Sequence, residues 1–198
     1  MIYLLRHGEP VRQSERQLVG QIDIPLSDVG IIQAQGWCKE LRATQFEHIY
    51  SSDLERARRT AELVGQGRNQ PVESLPQLRE INLGEWDGLT FRDVEARFPG
   101  EWSKRGANLD RYRPPKGESF ADLQARVVPA FLEIVEHAQS DVLVVAHAGV
   151  NRVIICHILD APLTNVFRIG QDYACLNKIQ PTGDRLQLVA MNLQLEAS

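Results

Sequence analysis

The sequence predicts an α/β protein whose mainly parallel sheet is covered by helices on both faces. Three observations carry that prediction. Short apolar runs of strand length alternate with helix-length segments along the chain. Residues 2–5 and 141–146 are apolar without alternation, the pattern of strands buried on both faces. Both runs stop abruptly before a histidine and a small residue, His7-Gly8 and His147-Ala148-Gly149, as parallel strands delivering polar groups at their carboxyl ends would.

The elements follow in order. After the first strand, residues 27 to about 44 read as a helix. Ser27 is its N-cap after Pro25-Leu26, and Ile31, Ile32, Ala34, Trp37, Cys38 and Leu41 are its apolar positions. His48-Ile49-Tyr50-Ser51 is a second short strand, followed by a helix over about 54–64 and a weak strand at 71–75. Residues 78–88, with two glycines, an asparagine and a tryptophan, read as a loop. Thr90-Phe91-Arg92-Asp93 opens a short helix with a capping-box pattern that ends near Phe98-Pro99-Gly100. Residues 101–117 carry Trp102, Arg105, Arg111, Tyr112, Arg113 and two prolines without a clear period. Ser119-Phe120-Ala121-Asp122 is a second capping-box start, for a helix to about 138. The most apolar strand, 141–146, precedes a helix to about 159, and 173–180 and 185–191 close the chain as two strands. The whole reads as one domain, 1–198, with an insertion at about 78–117 over one end of the sheet.

Composition narrows the function. The 198 residues suffice for a full core, and 43% hydrophobic with 24% charged residues is ordinary for a globular chain. A net charge of −4 supplies no global field for nucleic acid or an anionic membrane, so any bound anion must meet locally placed cations. No stretch approaches the ~20 apolar residues of a membrane span. Three scattered cysteines, Cys38, Cys156 and Cys175, read as reduced thiols and point to the cytoplasm. There is no HExxH, CxxC or GxxxxGK[ST], so neither a metal nor another cofactor is expected, and His157 on its apolar helix reads as a packed or capping residue.

If the two histidine-terminated strands are central and parallel, His7 and His147 project at the same end of the sheet. The segment Ser51-Ser52-Asp53-Leu54-Glu55-Arg56 follows a third strand at that end and brings Arg56 toward them. Arg6 ends a buried strand and needs a partner. Taken singly, His147 reads as a hydrogen-bonded strand-end residue and Arg56 as a helix-surface charge. Taken together, two histidines and two arginines make an anion pocket, because guanidinium forks match phosphate oxygens in paired hydrogen bonds.

The same residues resemble a known family. Leu5-Arg6-His7-Gly8-Glu9 is similar to the signature of the histidine phosphatase (phosphoglycerate mutase-like) superfamily. The likeness continues through 20–34 (GQIDIPLSDVGIIQA), 50–61 (YSSDLERARRTA), 78–88 (LREINLGEWDG), 115–119 (PPKGES) and 145–152 (VAHAGVNR), in the family's order and nearly end to end. The resemblance implies a three-layer sandwich and a metal-independent phosphoryl transfer. His7 would attack phosphorus and form a phosphohistidine. Arg6, Arg56 and His147 would hold the equatorial oxygens. Glu80, starting protonated, would give its proton to the leaving oxygen and then activate water. Gly20, Gln13 and the Ala148 backbone N–H would add substrate contacts. Gln13 stands where many members have asparagine, and Ala148 where many have a second glycine.

Within that family, the compact length and short insertion are similar to alpha-ribazole phosphatases and broad-specificity phosphatases, so the expected substrate is a small phosphomonoester, with alpha-ribazole 5′-phosphate the first candidate. A phosphoglycerate mutase is the second reading. The polar end, Gln194-Leu195-Glu196-Ala197-Ser198, leaves little for a lid over a phosphohistidine, so hydrolysis is preferred. A non-catalytic phospholigand-binding protein is the third, disfavoured because His7, Glu80 and His147 are all kept. Trp102, Arg105, Arg111, Tyr112 and Arg113 either line the mouth of the site or form a solvated surface. An exposed edge strand or helix could support a homodimer.

Overall fold

Neighbouring residues of the first strand, β1 (Ile2–Arg6), feed two different cores. In this computed structural model, which describes residues 1–11 and 17–195, Ile2 and Leu4 join one apolar cluster and Leu5 joins another. That alternation is the pleat of a strand covered on both faces, and it sets up three layers. On the Leu5 face lie α1 (Asp28–Glu40) and α2 (Glu55–Val64), which pack through Ala34, Trp37, Ala57 and Ala61. On the opposite face lie α5 (Phe120–His137) and α6 (Ala148–Ile158), which pack through Leu123, Val127, Val150 and Ile154.

The sheet has six strands. With β2 (Phe46–Ser51), β3 (Val72–Ser74), β4 (Asp141–Ala146), β5 (Leu176–Thr182) and β6 (Arg185–Leu193), the order is β3-β2-β4-β1-β5-β6. The first four are mutually parallel, whereas β5 is antiparallel to β1 and β6 to β5, so the sheet is mixed and mostly parallel. The expected strand from residue 173 starts three residues later, because 173 and 174 are taken up in a turn in which Ala174 has φ 54.

Local signals place the helices. The Ser27 side chain accepts from the Gly30 N–H, and reciprocal capping boxes at Thr90/Asp93 and Ser119/Asp122 start α3 (Phe91–Arg97) and α5. The stretch without a clear period contains a helix, α4 (Glu101–Ala107), that buries none of its own residues and so shows no apolar stripe. Between β3 and α5 the chain forms a third, smaller cluster in which Leu83, Trp86 and Val94 are buried, with Leu18, Phe98, Trp102 and Tyr112 packed against them. No helix among the described residues is long and apolar enough to cross a membrane.

Candidate active site

The two histidines are brought together by register. β1 and β4 are adjacent and parallel with Arg6 opposite Ala146, and the His7 N–H donates to the Ala146 carbonyl at 3.0 Å. The next residue on each strand is therefore His7 or His147, and their ring centroids lie 5.0 Å apart. Both are buried, at 3% and 0% exposure. His7 Nδ1 lies 2.7 Å from the Gly8 carbonyl, which can only accept, so Nδ1 carries the proton and Nε2 the lone pair. Burial, then the charges of Arg6 and Arg56, hold the His7 pKa well below the ordinary 6.5. His147 is lowered in the same way by burial and then by Arg56, His7 and Arg6. Both rings are thus neutral near pH 7.

Each arginine has a scaffold. Arg6 donates from Nη1 to the Gln171 carbonyl at 2.6 Å, and its Cζ lies 3.8 Å over the Tyr173 ring, a stack that fixes the guanidinium plane. Tyr173 also adjoins His7, with ring centroids 5.7 Å apart. Arg56, 1% exposed at the start of α2, donates to the carbonyls of Ile22 at 2.8 Å and Gly20 at 2.7 Å. Those carbonyls are held in turn by Asp87, whose carboxylate accepts from the N–H groups of Gly20, Gln21 and Ile22. Thr60 joins the two halves: its hydroxyl accepts from the Gly8 N–H and donates to the Arg56 carbonyl.

Glu80 reaches the same place from the connection between β3 and α5. It is 8% exposed, and its two carboxyl oxygens accept from the N–H groups of Ile81 at 2.8 Å and Gly149 at 3.0 Å. A Cβ on Gly149 would overlap Glu80 Oε1, so glycine there leaves the Glu80 carboxylate its place. Behind Glu80, Arg126 grips Glu118 with two nitrogens and donates to the carbonyls of Gln77, Arg79 and Glu80. Arg79 pairs with Asp53 beyond the end of β2, tying the loop to the sheet.

The structure thus gathers Arg6, His7, Arg56, Glu80 and His147 at the carboxyl ends of β1, β2 and β4. Ala148 joins them as the first residue of α6, where a helix leaves its leading N–H groups without intrahelical partners. Gly20 takes a different place from the expected one: its N–H goes to Asp87 and its carbonyl to Arg56, so it positions the arginine from behind. Gln13 lies outside the described residues. Arg111 and Arg113 pair with Asp110 and Asp122 and are exposed, Tyr112 donates its hydroxyl to Glu101, and Trp102 stacks on Trp86.

Several residues of the site escaped the sequence reading: Thr60, Asp87, Arg126, Gln171 and Tyr173. Tyr173 is placed by the direction of β5, which only the structure gives. An antiparallel strand enters the sheet at the end where parallel strands leave it, so residues just before β5 had to cross the pocket.

The donors left over describe what the pocket fits. Arg6 Nε, Arg56 Nε and both ring nitrogens of His147 are buried without a hydrogen-bond partner among the described residues. Each unpaired buried polar group costs about 1–3 kcal/mol. A tetrahedral oxyanion supplies several acceptors around one centre and would satisfy the two arginine Nε–H groups and the one N–H of neutral His147 together.

Known proteins agree with this geometry. The sequence model of the histidine phosphatase superfamily (branch 1) matches residues 2–194. The glucosyl-3-phosphoglycerate phosphatase of Mycolicibacterium vanbaalenii is 37% identical over 174 residues, covering 83% of this chain and 76% of that protein. The 6-phosphofructo-2-kinase/fructose-2,6-bisphosphatase of Gallus gallus is 31% identical over 200 residues; the match takes in 99% of this chain but only 40% of that longer protein. The crystal structure of the alpha-ribazole phosphatase from Shigella flexneri superposes with a TM-score of 0.90 at 28% identity, covering 97% of this chain and 96% of that one. These likenesses are consistent with a phosphoric monoester hydrolase. From its nearly end-to-end match and its paired strand-end histidines alike, the chain belongs to the histidine phosphatase superfamily.

Proposed function

We propose that this protein hydrolyses small phosphomonoesters through a phosphohistidine on His7. The observation that carries the proposal is the fixed tautomer of a buried, neutral His7 among Arg6, Arg56 and His147, with Glu80 bound to the Gly149 N–H beside them. Nε2 of His7 attacks phosphorus as the ester P–O bond breaks, and protonated Glu80 gives its proton to the departing oxygen. The Glu80 carboxylate then takes a proton from water as that water attacks the phosphohistidine. The P–N bond breaks, and inorganic phosphate and neutral His7 are released. Arg6, Arg56 and a His147 N–H hold the equatorial oxygens in both steps, where charge spreads in a loose transition state.

The names of the relatives suggest two substrates to try first, alpha-ribazole 5′-phosphate and glucosyl-3-phosphoglycerate. The decisive assay is release of phosphate from p-nitrophenyl phosphate and these esters in excess chelator. Wild type is expected to turn over under chelation, and His7→Ala to lose at least about 10³-fold in kcat, the scale of removing a covalent nucleophile. Activity that survives the substitution, or that the chelator abolishes, contradicts the mechanism. Incubation with 3-phosphoglycerate, scored for free phosphate against the 2-isomer, separates hydrolysis from mutase action.

A further inference from the structure

Several arginines near the site are paired with carboxylates. Arg79 faces Asp53, Arg111 Asp110, Arg113 Asp122 and Arg126 Glu118. Two are not. Arg105, on α4, sits among three rings, its Cζ 5.3 Å from the centre of Trp102, 5.4 Å from Phe167 and 5.9 Å from Phe120. No hydrogen bond or ion pair joins its guanidinium to any described residue. Arg152 lies with its Cζ 5.4 Å from the same Phe167 ring, and only its Nε is engaged, at 3.0 Å from the Ile169 carbonyl. Burial pushes both guanidinium pKa values down, and for Arg152 the neighbouring Glu80 opposes the shift. An arginine is a strong enough base that both keep their charge at neutral pH.

Their position relates them to the leaving group. Arg152 stands three residues, a little less than one turn, beyond Gly149, whose N–H bonds Glu80, so it shares that face of α6. One short segment then links the pair to the phosphoryl pocket. Phe167 carries both guanidiniums, the Ile169 carbonyl takes Arg152, the Gln171 carbonyl takes Arg6, and Tyr173 covers Arg6 next to His7. Glu80 is the proposed proton donor to the ester oxygen, so the leaving group extends on its side. Phe167 is 54% exposed, which opens this strip to an incoming ligand. The charge count completes the case: Arg6 and Arg56 match a phosphomonoester dianion, and Arg105 and Arg152 are surplus to it.

We infer, building on the phosphatase reading above, that Arg105, Phe167 and Arg152 form a second anion subsite, selecting phosphomonoesters whose leaving group carries a carboxylate or a second phosphate. Two matched pairs of esters test it: 3-phosphoglycerate against glycerol 3-phosphate, and fructose 1,6-bisphosphate against fructose 1-phosphate. At least about tenfold higher kcat/KM is expected for the acidic member of one pair, the scale of one charged hydrogen bond, and the pair that shows it identifies the acid. Arg105→Gln and Arg152→Gln should each reduce that ratio severalfold, and Arg105→Lys, which keeps the charge, should retain part of it. Turnover of p-nitrophenyl phosphate and a melting curve report whether each variant folds. A wild-type ratio near one in both pairs, or a ratio that survives both glutamine substitutions, overturns the subsite. If no ester is hydrolysed, the phosphatase reading is what fails, and calorimetric binding of the same pairs to His7→Ala decides the subsite: tighter binding of an acidic member supports it, and equal affinity overturns it.

Discussion

The Gly8 carbonyl can only accept, so the proton of His7 sits on Nδ1 and the lone pair on Nε2. That single contact selects the tautomer that the proposed attack requires, while burial and the Arg6 and Arg56 charges keep a second proton off the ring. The same two effects keep His147 neutral, so it offers one N–H to an anion rather than a full charge. A histidine held this way keeps its lone pair at pH values where a free histidine is largely protonated. Histidine-selective ¹⁵N NMR at pH 6, below the ordinary histidine value of 6.5, should therefore show two neutral rings, with Nδ1 protonated in His7. An imidazolium signal for His7 at that pH would refute this account of its activation. The residues behind this arrangement differ in how far the sequence disclosed them. Arg6 and His7 stand out because an apolar strand ends on them. Tyr173, which stacks on Arg6, follows no such run, and only the direction of the strand after it gives its position.

The connection from residues 20 to 22 shows how one carboxylate can organise an element that has no helix or strand of its own. Asp87 accepts from three consecutive N–H groups, and the carbonyls of that connection aim Arg56. Asp23 continues the device by accepting from the Glu55 N–H at the start of α2, where Leu54 provides no side-chain cap. Asp87→Ala should cost about 1–3 kcal/mol in a melting experiment, since three donors lose their acceptor. It should also lower kcat/KM by more than about tenfold, because displaced carbonyls release the Arg56 guanidinium. Asp87→Asn, which keeps one accepting oxygen, should fall between the two. If Asp87→Ala melts lower with unchanged kcat/KM, Arg56 is positioned by something else. Elements whose signals are local were legible beforehand: both capping boxes appear at the residues that announced them, and β4 has the expected limits. The helix α4 was not legible, because its contacts run to Trp86, Phe120 and Phe167 elsewhere in the chain and leave no period in its own seven residues.

Across the whole molecule, the apolar cores hold the sheet from both faces and leave one end for buried polar groups. His7, Arg56, Glu80, His147, Asn151, Gln171 and Asn177 are all less than a tenth exposed. The three-layer fold was readable because apolar runs and helix-length segments alternate, but the antiparallel β5 was not, since strand direction depends on where the chain re-enters. Concentrating neutral histidines at this end has a consequence for stability. The unfolded chain binds protons on His7 and His147 near pH 6.5, whereas the folded chain binds them only at much lower pH. The unfolded state therefore holds more protons below pH 6.5, so stability is fully present above that value and falls as the pH drops toward the folded pKa values. Each such histidine contributes a slope approaching about 1.4 kcal/mol per pH unit. Asp53 and Asp122, whose pKa values their arginine partners lower, act in the same sense only at more acidic pH, below the ordinary 3.8. Denaturant melts between pH 7.5 and 5.5 thus report mainly on the histidines, since Glu47 and Glu101, lowered as well, start from 4.5. His147→Asn should shift the curve as a whole and also flatten its slope in that window, because one of the two proton-excluding sites is gone. A slope equal to that of wild type would mean that His147 takes up its proton as readily folded as unfolded, and the neutral ring assigned to it in the pocket would have to be abandoned.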